Sequence, residues 1–316
     1  MIKGFFSVFF VKPSMVVEAQ KAKFKPIFIL QVLIFLGIFI VTQIASAIPV
    51  VMYIILMMIY KRNLALQPDS VPGMSLALLF CTSVTTLLVI VYCRFIEKRS
   101  FNSMGFTRYK AARHYLKGLL VGFVMFGASV LISAAAGTLE YNGIVLGSGL
   151  ILLFAFFAGF VLQGMSEEVA MRGYFMVSVA TKAPVIVAIL ANSVIFALMH
   201  LLNDGITALS LVNLTLFGVF ASVYTLKSNS LWGIGAIHTM WNFAQGNIFG
   251  IAVSGNKMET SVFSFTPTDA GALINGGSFG LEGGLAVTAV LLAGVVVTML
   301  VKGRSQKVLQ SESAVV

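Results

Sequence analysis

The sequence predicts an all-α, polytopic membrane protein with about eight transmembrane helices. Of its 316 residues, 59% are hydrophobic and only 10% are charged, whereas soluble domains carry about 25% charged residues. The charged residues lie between apolar runs that are long enough to cross a hydrocarbon core of about 30 Å. A net charge of +10 also occurs in nucleic-acid-binding proteins, but here Lys and Arg flank the apolar runs as the positive-inside rule requires. We therefore expect a lipid bilayer as the partner, and no nucleic acid.

The first 93 residues predict a leader and two N-terminal transmembrane helices. Residues 1–26 are basic and aromatic, which suits an interfacial amphipathic segment or an unstructured one. Uncharged sequence then runs from Ile27 to Tyr60 and would extend about 51 Å as a helix. That length is too short for two crossings with a turn, so we expect a single helix that is kinked or extended near Pro49. A second span runs from about Val71 to Cys93.

Residues 94–250 are predicted to form the core of the protein, with a basic loop and five transmembrane helices. The loop from Arg94 to Lys117 is the most basic in the chain. In the helix that follows it, Gly118 and Gly122 form a small-residue face suited to close helix packing. The five helices are expected to begin near Tyr115 and near Val145, to run from Pro184 to Leu202, to end at Lys227, and to run from Ser230 to Gly250.

The remaining sequence predicts a loop and one last helix. Residues 251–283 form an extracytoplasmic, glycine-rich loop that we expect to be mobile, and residues 284–316 form the last transmembrane helix and a cytoplasmic tail. With eight crossings and both termini in the cytoplasm, 17 of the 21 Lys and Arg residues fall on the inner side, three fall outside, and Arg172 lies within a helix. Splitting the first helix in two would place the basic loop outside, so the charge pattern favours a single first helix. The predicted location is the cell membrane, with multiple passes.

An acidic motif stands out within the apolar sequence of the core. Glu167 and Glu168 are adjacent, and Arg172 follows Glu168 by four residues, so these two side chains share a helix face and are able to pair. Glu167 is rotated by about 100° and points elsewhere. A carboxylate in lipid costs about 2.5–3.5 kcal/mol even on the lenient insertion scale. We interpret the motif as a functional site, with a salt-bridged clasp between helices as the alternative.

Three further polar residues lie on two other apolar helices. His200 ends one run, and His238 and Asn242 are four apart and therefore share one face of another helix. A lone histidine inside the membrane is more often a hydrogen-bonded packing residue, but polar groups at membrane depth tend to converge on one another or on a wet cavity. Counting helical rise from the expected helix ends, we predict that Glu167, His200, His238 and Asn242 share one level. This requires the acidic helix to continue past Arg172 to about Thr181.

The ordered motifs resemble those of the CPBP intramembrane proteases, which include the CAAX-processing Rce1-like enzymes and the bacteriocin-processing Abi group. The resemblance rests on the acidic motif, then Phe196 with His200, then His238 with Asn242. It covers about residues 90 to 250 and leaves out the first 60 residues and the sequence after Gly250. It implies an intramembrane endopeptidase that hydrolyses a peptide bond near the membrane, in a peptide or membrane-protein substrate.

The resemblance also implies residue roles. Glu167 would be the base that activates water, with His200 helping to hold that water, while His238 and Asn242 would stabilise the oxyanion. Glu168 and Arg172 would be supporting residues. Burial raises the pKa of a carboxylate towards neutrality, as a base working near pH 7 requires, and an amide donates a neutral hydrogen bond that suits an oxyanion.

A requirement for zinc is not expected, although members of this family are often called metalloproteases. A catalytic zinc site uses three protein ligands and an open position. One available set, His200, His238 and Glu168, breaks the Glu168–Arg172 pair and leaves the arginine uncompensated in lipid; the other set is His200, His238 and Glu167. That set leaves no obvious base, because spacing commits Glu168 to Arg172. We therefore predict a glutamate-dependent enzyme without a cofactor, with the zinc site as the alternative.

Two other classes of function stay open at the level of sequence. One is a noncatalytic bacteriocin-immunity or partner-binding protein on the same scaffold. The other is a proton-coupled transporter, which also needs buried Glu and His residues but would be favoured by inverted repeats that the sequence lacks. The sequence leaves open the substrate, its prenylation, the oligomeric state and the membrane face to which the site opens, for which the resemblance favours the cytoplasmic face.

Overall fold

The computed structural model describes residues 6–61, 73–145 and 149–301, and it confirms the predicted bundle of membrane helices. Five of its helices are long and apolar enough to cross a membrane by length and composition. They are α2 (Phe28–Lys61), α3 (Met74–Ile96), α4 (Ala111–Ala135), α5 (Gly149–Lys182) and α7 (Ala208–Ser228). Two shorter apolar helices are α6 (Val185–Leu198) and α10 (Leu285–Leu300). The remaining helices are α1 (Ser14–Ala19), α8 (Trp232–Phe243) and α9 (Ala272–Asn275).

The predicted single first helix is confirmed, because α2 runs for 34 residues with Pro49 in its interior. The fourth predicted span also continues past Arg172, as the common level of the polar residues required. It does so through a π-helical stretch, Val169–Met176, that joins Gly149–Glu168 to Val177–Lys182. Similar π turns extend α8 over Ala244–Ile248 and end α3 over Tyr92–Ile96. Such turns are frequent at functional sites, and the longest begins directly after Glu168.

We call one end of the bundle the basic end; it comprises residues 6–27, 94–117, 182–184 and 227–231. At its centre lies Arg99, which the sequence suggested was part of a solvated basic loop but which is 2% exposed. Its guanidinium donates to the carbonyl of Gly173, at 3.0 Å, and to Ser178 Oγ, at 2.9 Å, and it lies 3.3 Å from Glu97 Oε2. Burial raises the pKa of Glu97 while Arg99 lowers it. Arg99 therefore ties the loop after α3 to the π-helical stretch of α5.

The leader is folded, which contradicts the unstructured alternative, and α1 packs against the rest of the basic end. The interfacial alternative stays a prediction. Met15, Val16 and Ala19 of α1 are buried, and the backbone N–H of Met15 donates to Asn229 Oδ1 at 2.8 Å. Residues 1–5 lie outside the described residues. The leader thus covers the ends of helices that continue into the core.

We call the other end the capped end; it comprises residues 136–145, 199–207 and 249–284. The expectation of a mobile glycine-rich loop is wrong, because the segment after Gly250 folds. Strand β2 (Phe263–Pro267) pairs antiparallel with β1 (Leu139–Ile144), which precedes α5. Short 3₁₀ turns and α9 follow before α10. This small sheet is the exception to the all-α prediction. Outside the helices, the backbone N–H and C=O groups of the two strands bond to each other instead of within a helix.

Glycines bring the three central helices into close contact. A Cβ on Gly122 of α4 would lie 2.5 Å from the carbonyl oxygen of Ile237, and one on Gly164 of α5 would lie 2.7 Å from the backbone nitrogen of Thr239. Gly118 meets the backbone of Gly233 in the same way. The predicted small-residue face of α4 therefore packs on α8. Because Ile237 and Thr239 flank His238, these contacts hold that histidine against α5.

Candidate active site

A cleft of about 230 Å³ lies between the helices on the capped side of the core. Glu167, His200, His238 and Asn242, which come from three separate parts of the sequence, all line it. Most of the remaining walls are apolar and come from α3, α5, α6, α7, α8 and α10. The apolar lining residues are Leu78, Leu79, Phe160, Phe196, Leu214, Phe217, Trp241, Val253, Met258, Val287 and Leu291.

Beneath the cleft, Glu168 is fully buried between two partners. Arg172 Nη1 lies 2.9 Å from its Oε1, as the spacing predicted, and His238 Nδ1 lies 2.9 Å from the same oxygen. The Arg172 guanidinium stacks over Phe196, 4.8 Å from the ring centroid. Since Glu168 and Arg172 are both 0% exposed, each requires the other's charge. The pair fixes the ring of His238, a role that the sequence did not reveal.

Glu167 and His238 face each other across the floor of the cleft. Glu167 Oε2 lies 3.6 Å from His238 Nε2 and accepts no hydrogen bond from a described residue. With the carboxylate of Glu168 accepting a hydrogen bond from Nδ1, a neutral His238 presents an unprotonated Nε2. Two acceptors then point into the same space. A water molecule, which donates twice, satisfies both, so the arrangement is suited to holding a water molecule beside a base.

A second polar chain crosses from α8 to α5 through Gln163. Asn242 Nδ2 donates to Gln163 Oε1 at 3.0 Å, and Gln163 Nε2 donates to Glu167 Oε1 at 2.5 Å. One oxygen of Glu167 is therefore held by an amide, while the other faces His238. The amide nitrogen of Asn242 carries two hydrogens, and Gln163 takes only one of them. The second remains for a group in the cleft.

His200 also lines the cleft, two residues beyond the end of α6. Its Nδ1 lies 2.8 Å from the carbonyl oxygen of Phe196, which as an acceptor favours a proton on Nδ1. The unprotonated Nε2 is then the ring atom left to accept a hydrogen bond from a group in the cleft. The ring also packs against Phe196, with centroids 4.9 Å apart.

A third carboxylate reaches the cleft from the capped end. Glu282 lines the cleft and is 8% exposed. Its Oε2 accepts from the backbone N–H of Ser254 at 2.7 Å, from Ser254 Oγ at 2.8 Å and from Gln245 Nε2 at 3.3 Å. Burial raises the pKa of Glu282, and the hydrogen bonds from Ser254 and the nearby His200 and His238 lower it in part.

Comparison with protein families supplies the decisive observation. Residues 148–244 match the family described as "Type II CAAX prenyl endopeptidase Rce1-like". We call residues 148–244 the CAAX-protease segment, after the family to which they are similar. The resemblance drawn from the motifs is thereby confirmed, although the match covers about a third of the chain and begins later than residue 90. No curated protein and no solved structure matches the chain.

The CAAX-protease segment contains every residue predicted for the site. Glu167, His200, His238 and Asn242 share the cleft, while the other two predicted residues, Glu168 and Arg172, lie directly beneath it. Their roles in a reaction stay predictions.

Two residues of the site were missed. Gln163 left a usable signal, because it stands four residues before Glu167 and hence on its helix face. Glu282 lies outside the CAAX-protease segment and left no signal in its spacing, since only the folding of the capped end brings it to the cleft.

The CAAX-protease core does not offer a fitting set of zinc ligands. In the described ranges, no three His, Cys, Asp or Glu side chains are close enough together to hold a metal ion. Glu168 is already bound by Arg172 and His238. His200 and His238 each have their Nδ1 engaged by an acceptor, but together with Glu167 they do not form a three-ligand site. We therefore derive no reaction step through a metal.

Proposed function

We propose that the protein is a glutamate-dependent intramembrane endopeptidase. The observation that carries this proposal is the pair formed by Glu167 Oε2 and His238 Nε2, 3.6 Å apart on the floor of an enclosed cleft. The match of residues 148–244 to a protease family supports peptide hydrolysis as the reaction. Glu167 lines the cleft, with 27% of its side chain accessible, and its Oε2 has no hydrogen-bond donor among the described residues.

The proposed reaction begins with a water molecule held between Glu167 and His238. Glu167 takes one proton from this water as its oxygen attacks the carbonyl carbon of the scissile bond, and the carbonyl π electrons move to the oxygen. The second hydrogen on Asn242 Nδ2 binds that oxyanion. When the C–N bond breaks, protonated Glu167 gives its proton to the leaving amine. His200 Nε2 accepts a hydrogen bond from the water or from the substrate and helps to orient it.

The supporting residues act through the rings and carboxylates that they hold. Glu168 fixes the orientation of His238, and Arg172 compensates the charge of Glu168. Gln163 fixes one oxygen of Glu167 and one hydrogen of Asn242. These contacts hold the base and the oxyanion donor at a set separation, and such preorganisation is where most electrostatic catalysis arises.

The test is a comparison of Glu167→Gln with a matched control, Glu140→Gln, on the exposed strand β1. Both variants keep side-chain size and lose one carboxylate, but only the first removes the proposed base. Membranes containing wild type or either variant are compared by mass spectrometry for newly formed peptide ends. We expect the Glu167 variant to lose about 10²–10⁴-fold in cleavage rate, the range for a general base, with unchanged thermal unfolding, and the control to match wild type.

The same comparison distinguishes the other classes. Cleavage by Glu167→Gln at the wild-type rate would refute the assignment of the base. If the protein binds peptides but no new peptide ends form in any sample, the noncatalytic scaffold is favoured. Proton-linked uptake of a solute would favour the transporter.

A further inference from the structure

The cleft is built from one half of the bundle. Helices α3, α7 and α10 all start at the capped end, and their lining residues come only from their first halves. Helices α6 and α8 run in the opposite direction and contribute residues from their second halves, such as Phe196 and Asn242. Within the described part of the chain, no residue of the basic end lines the cleft. The cleft therefore lies in the half of the bundle next to the capped end.

Residues of the capped end form the mouth. Asn203, Ser254, Asn256 and Met258 line the cleft there, and Asn203 Nδ2 donates to the carbonyl of Ser254 at 3.0 Å. The N-terminus of α3 closes the ring, because the backbone N–H of Ser75 lies 3.3 Å from Glu259 Oε1.

The charges of the two ends differ in sign. At the capped end, Lys257 is outnumbered by acidic residues, which are Glu140, Asp204, Glu259, Asp269 and Glu282. At the basic end, Glu18 and Glu97 are outnumbered by Lys and Arg, which are Lys12, Lys21, Lys23, Lys25, Arg94, Lys98, Arg99, Arg108, Lys110, Arg113, Lys117, Lys182 and Lys227. Lys and Arg accumulate on the cytoplasmic side of membrane proteins. By this rule the basic end faces the cytoplasm and the capped end faces outward.

We propose that the cleft opens to the extracytoplasmic face and takes a neutral or basic peptide segment of an exported or membrane-anchored protein. This rests on the proposed peptidase function for its substrate but not for its orientation, and it is opposite to the cytoplasmic opening that the family resemblance favours. Glu167 and Glu282 line the cleft, whereas no Lys or Arg of the described chain does. An acidic side chain beside the scissile bond would meet the carboxylate of Glu167 with no Lys or Arg of the cleft to compensate it, which opposes binding.

The orientation is tested by labelling single cysteines in intact cells with a membrane-impermeant maleimide. The background carries Cys81→Ser, while Cys93 is fully buried. Met258→Cys reports on the mouth of the cleft, and Asn102→Cys, at an exposed position of the basic end, is its counterpart. We expect Met258→Cys to be labelled in intact cells and Asn102→Cys only after permeabilisation.

The reverse result, with Asn102→Cys labelled in intact cells and Met258→Cys only after permeabilisation, would overturn the outward opening. Repeating the labelling in Glu167→Gln makes the readout independent of catalysis. Failure of the orientation and failure of the peptidase function are then separate outcomes.

The substrate chemistry is tested with purified protein and a peptide mixture from a proteome digest. We expect Asp and Glu next to the cleaved bonds to be disfavoured about tenfold in kcat/KM relative to Asn and Gln, which corresponds to about 1.4 kcal/mol. Equal use of acidic and amide residues would refute the neutral or basic preference. No cleavage at all would refute the peptidase function and leave the labelling result to decide the orientation.

Discussion

At the scale of single residues, the site is a set of amides, carboxylates and imidazoles that are held by hydrogen bonds to one another, with a few polar atoms left without a partner. Glu168 is bound on one side by Arg172 and on the other by His238, and Glu167 keeps one oxygen for the cleft. Asn242 is bound to Gln163 through only one of its two amide hydrogens. The role that we propose for each residue therefore follows from the donor and acceptor atoms that its neighbours do not occupy.

We expect Asn242→Ala to lower kcat by about 10²–10³-fold, the effect of removing one oxyanion donor. KM should change little, because this hydrogen bond strengthens in the transition state. Steady-state kinetics on a cleaved peptide measure both constants. Gln163→Leu is the matched comparison, since it breaks the link to Glu167 but leaves the second donor in place, and it should lower kcat less. Equal losses in the two variants would mean that Asn242 acts only through Gln163.

We also expect activity without zinc. Glu168 is not available as a ligand, because it is committed to Arg172 and His238. Among the described residues, His200, His238 and Glu167 are not close enough together to form a three-ligand site. The measurement is elemental analysis of purified active protein, with a strong chelator present in the assay. Stoichiometric zinc, together with activity that is lost on chelation and restored by metal, would make His200, His238 and Glu167 ligands and refute the metal-free mechanism.

At the scale of elements, glycine contacts and π turns decide how the helices meet. The carbonyl of Gly173 lies in the π-helical stretch after Glu168 and accepts a hydrogen bond from Arg99 of the basic end. The glycines of α4 and α5 let α8 approach closely enough for His238 to reach Glu168. A helix interface of this kind depends on backbone proximity, which any added side chain would prevent.

Two glycines of α4 provide a matched pair for testing this contact. A Cβ at Gly122 would lie 2.5 Å from the carbonyl oxygen of Ile237, whereas one at Gly127 would meet nothing within 4 Å. We expect Gly122→Ala to destabilise by about 1–3 kcal/mol through overpacking and to impair cleavage. Gly127→Ala should be neutral or stabilising by up to about 1 kcal/mol, because Ala is the better helix former. Thermal unfolding in detergent measures both, and equal melting temperatures would contradict the close α4–α8 contact.

At the scale of the whole molecule, the capped end and the helical core form one site through Glu282. Its Oε2 joins Ser254 and Gln245, which lie on separate segments, and its side chain lines the same cleft as Glu167. The part of the chain outside the matched family segment thus contributes directly to the cleft.

We expect the thermal stability of Glu282→Gln to exceed that of wild type by a margin that grows as pH rises. Burial raises the folded-state pKa of Glu282 above its ordinary value of 4.5, so the folded protein favours the neutral carboxyl. The stabilisation that comes from this raised pKa is fully present below pH 4.5, and it is lost as pH rises through the pKa of Glu282 in the folded protein. Gln stays neutral and keeps an oxygen that accepts from Ser254. Other groups facing the site, His200 and His238, are unchanged in the variant.

The measurement is melting temperature against pH for wild type, Glu282→Gln and the control Asp269→Asn, an exposed acid on the same segment. The control should follow wild type at every pH. A constant difference between Glu282→Gln and wild type across the range would show that ionisation of Glu282 does not oppose folding.

The sequence alone determined the membrane bundle, the single first helix and six of the polar residues in and beneath the cleft. Apolar runs of bilayer length leave few other structures, because backbone in lipid must bond to itself, and the cost of burying Glu167 and Glu168 singles them out against apolar sequence. The Glu168–Arg172 pair also followed from local spacing, since residues four apart on a helix are neighbours.

Only the tertiary structure decided what those residues contact. His238 meets Glu168 because glycines on different helices allow a close approach, and Glu282 reaches the cleft because β1 and β2, more than a hundred residues apart, pair at the capped end. Neither contact has a local period in the sequence. Spacing along one helix fixes which side chains share a face, but packing between helices fixes which faces meet, and that depends on the whole chain at once.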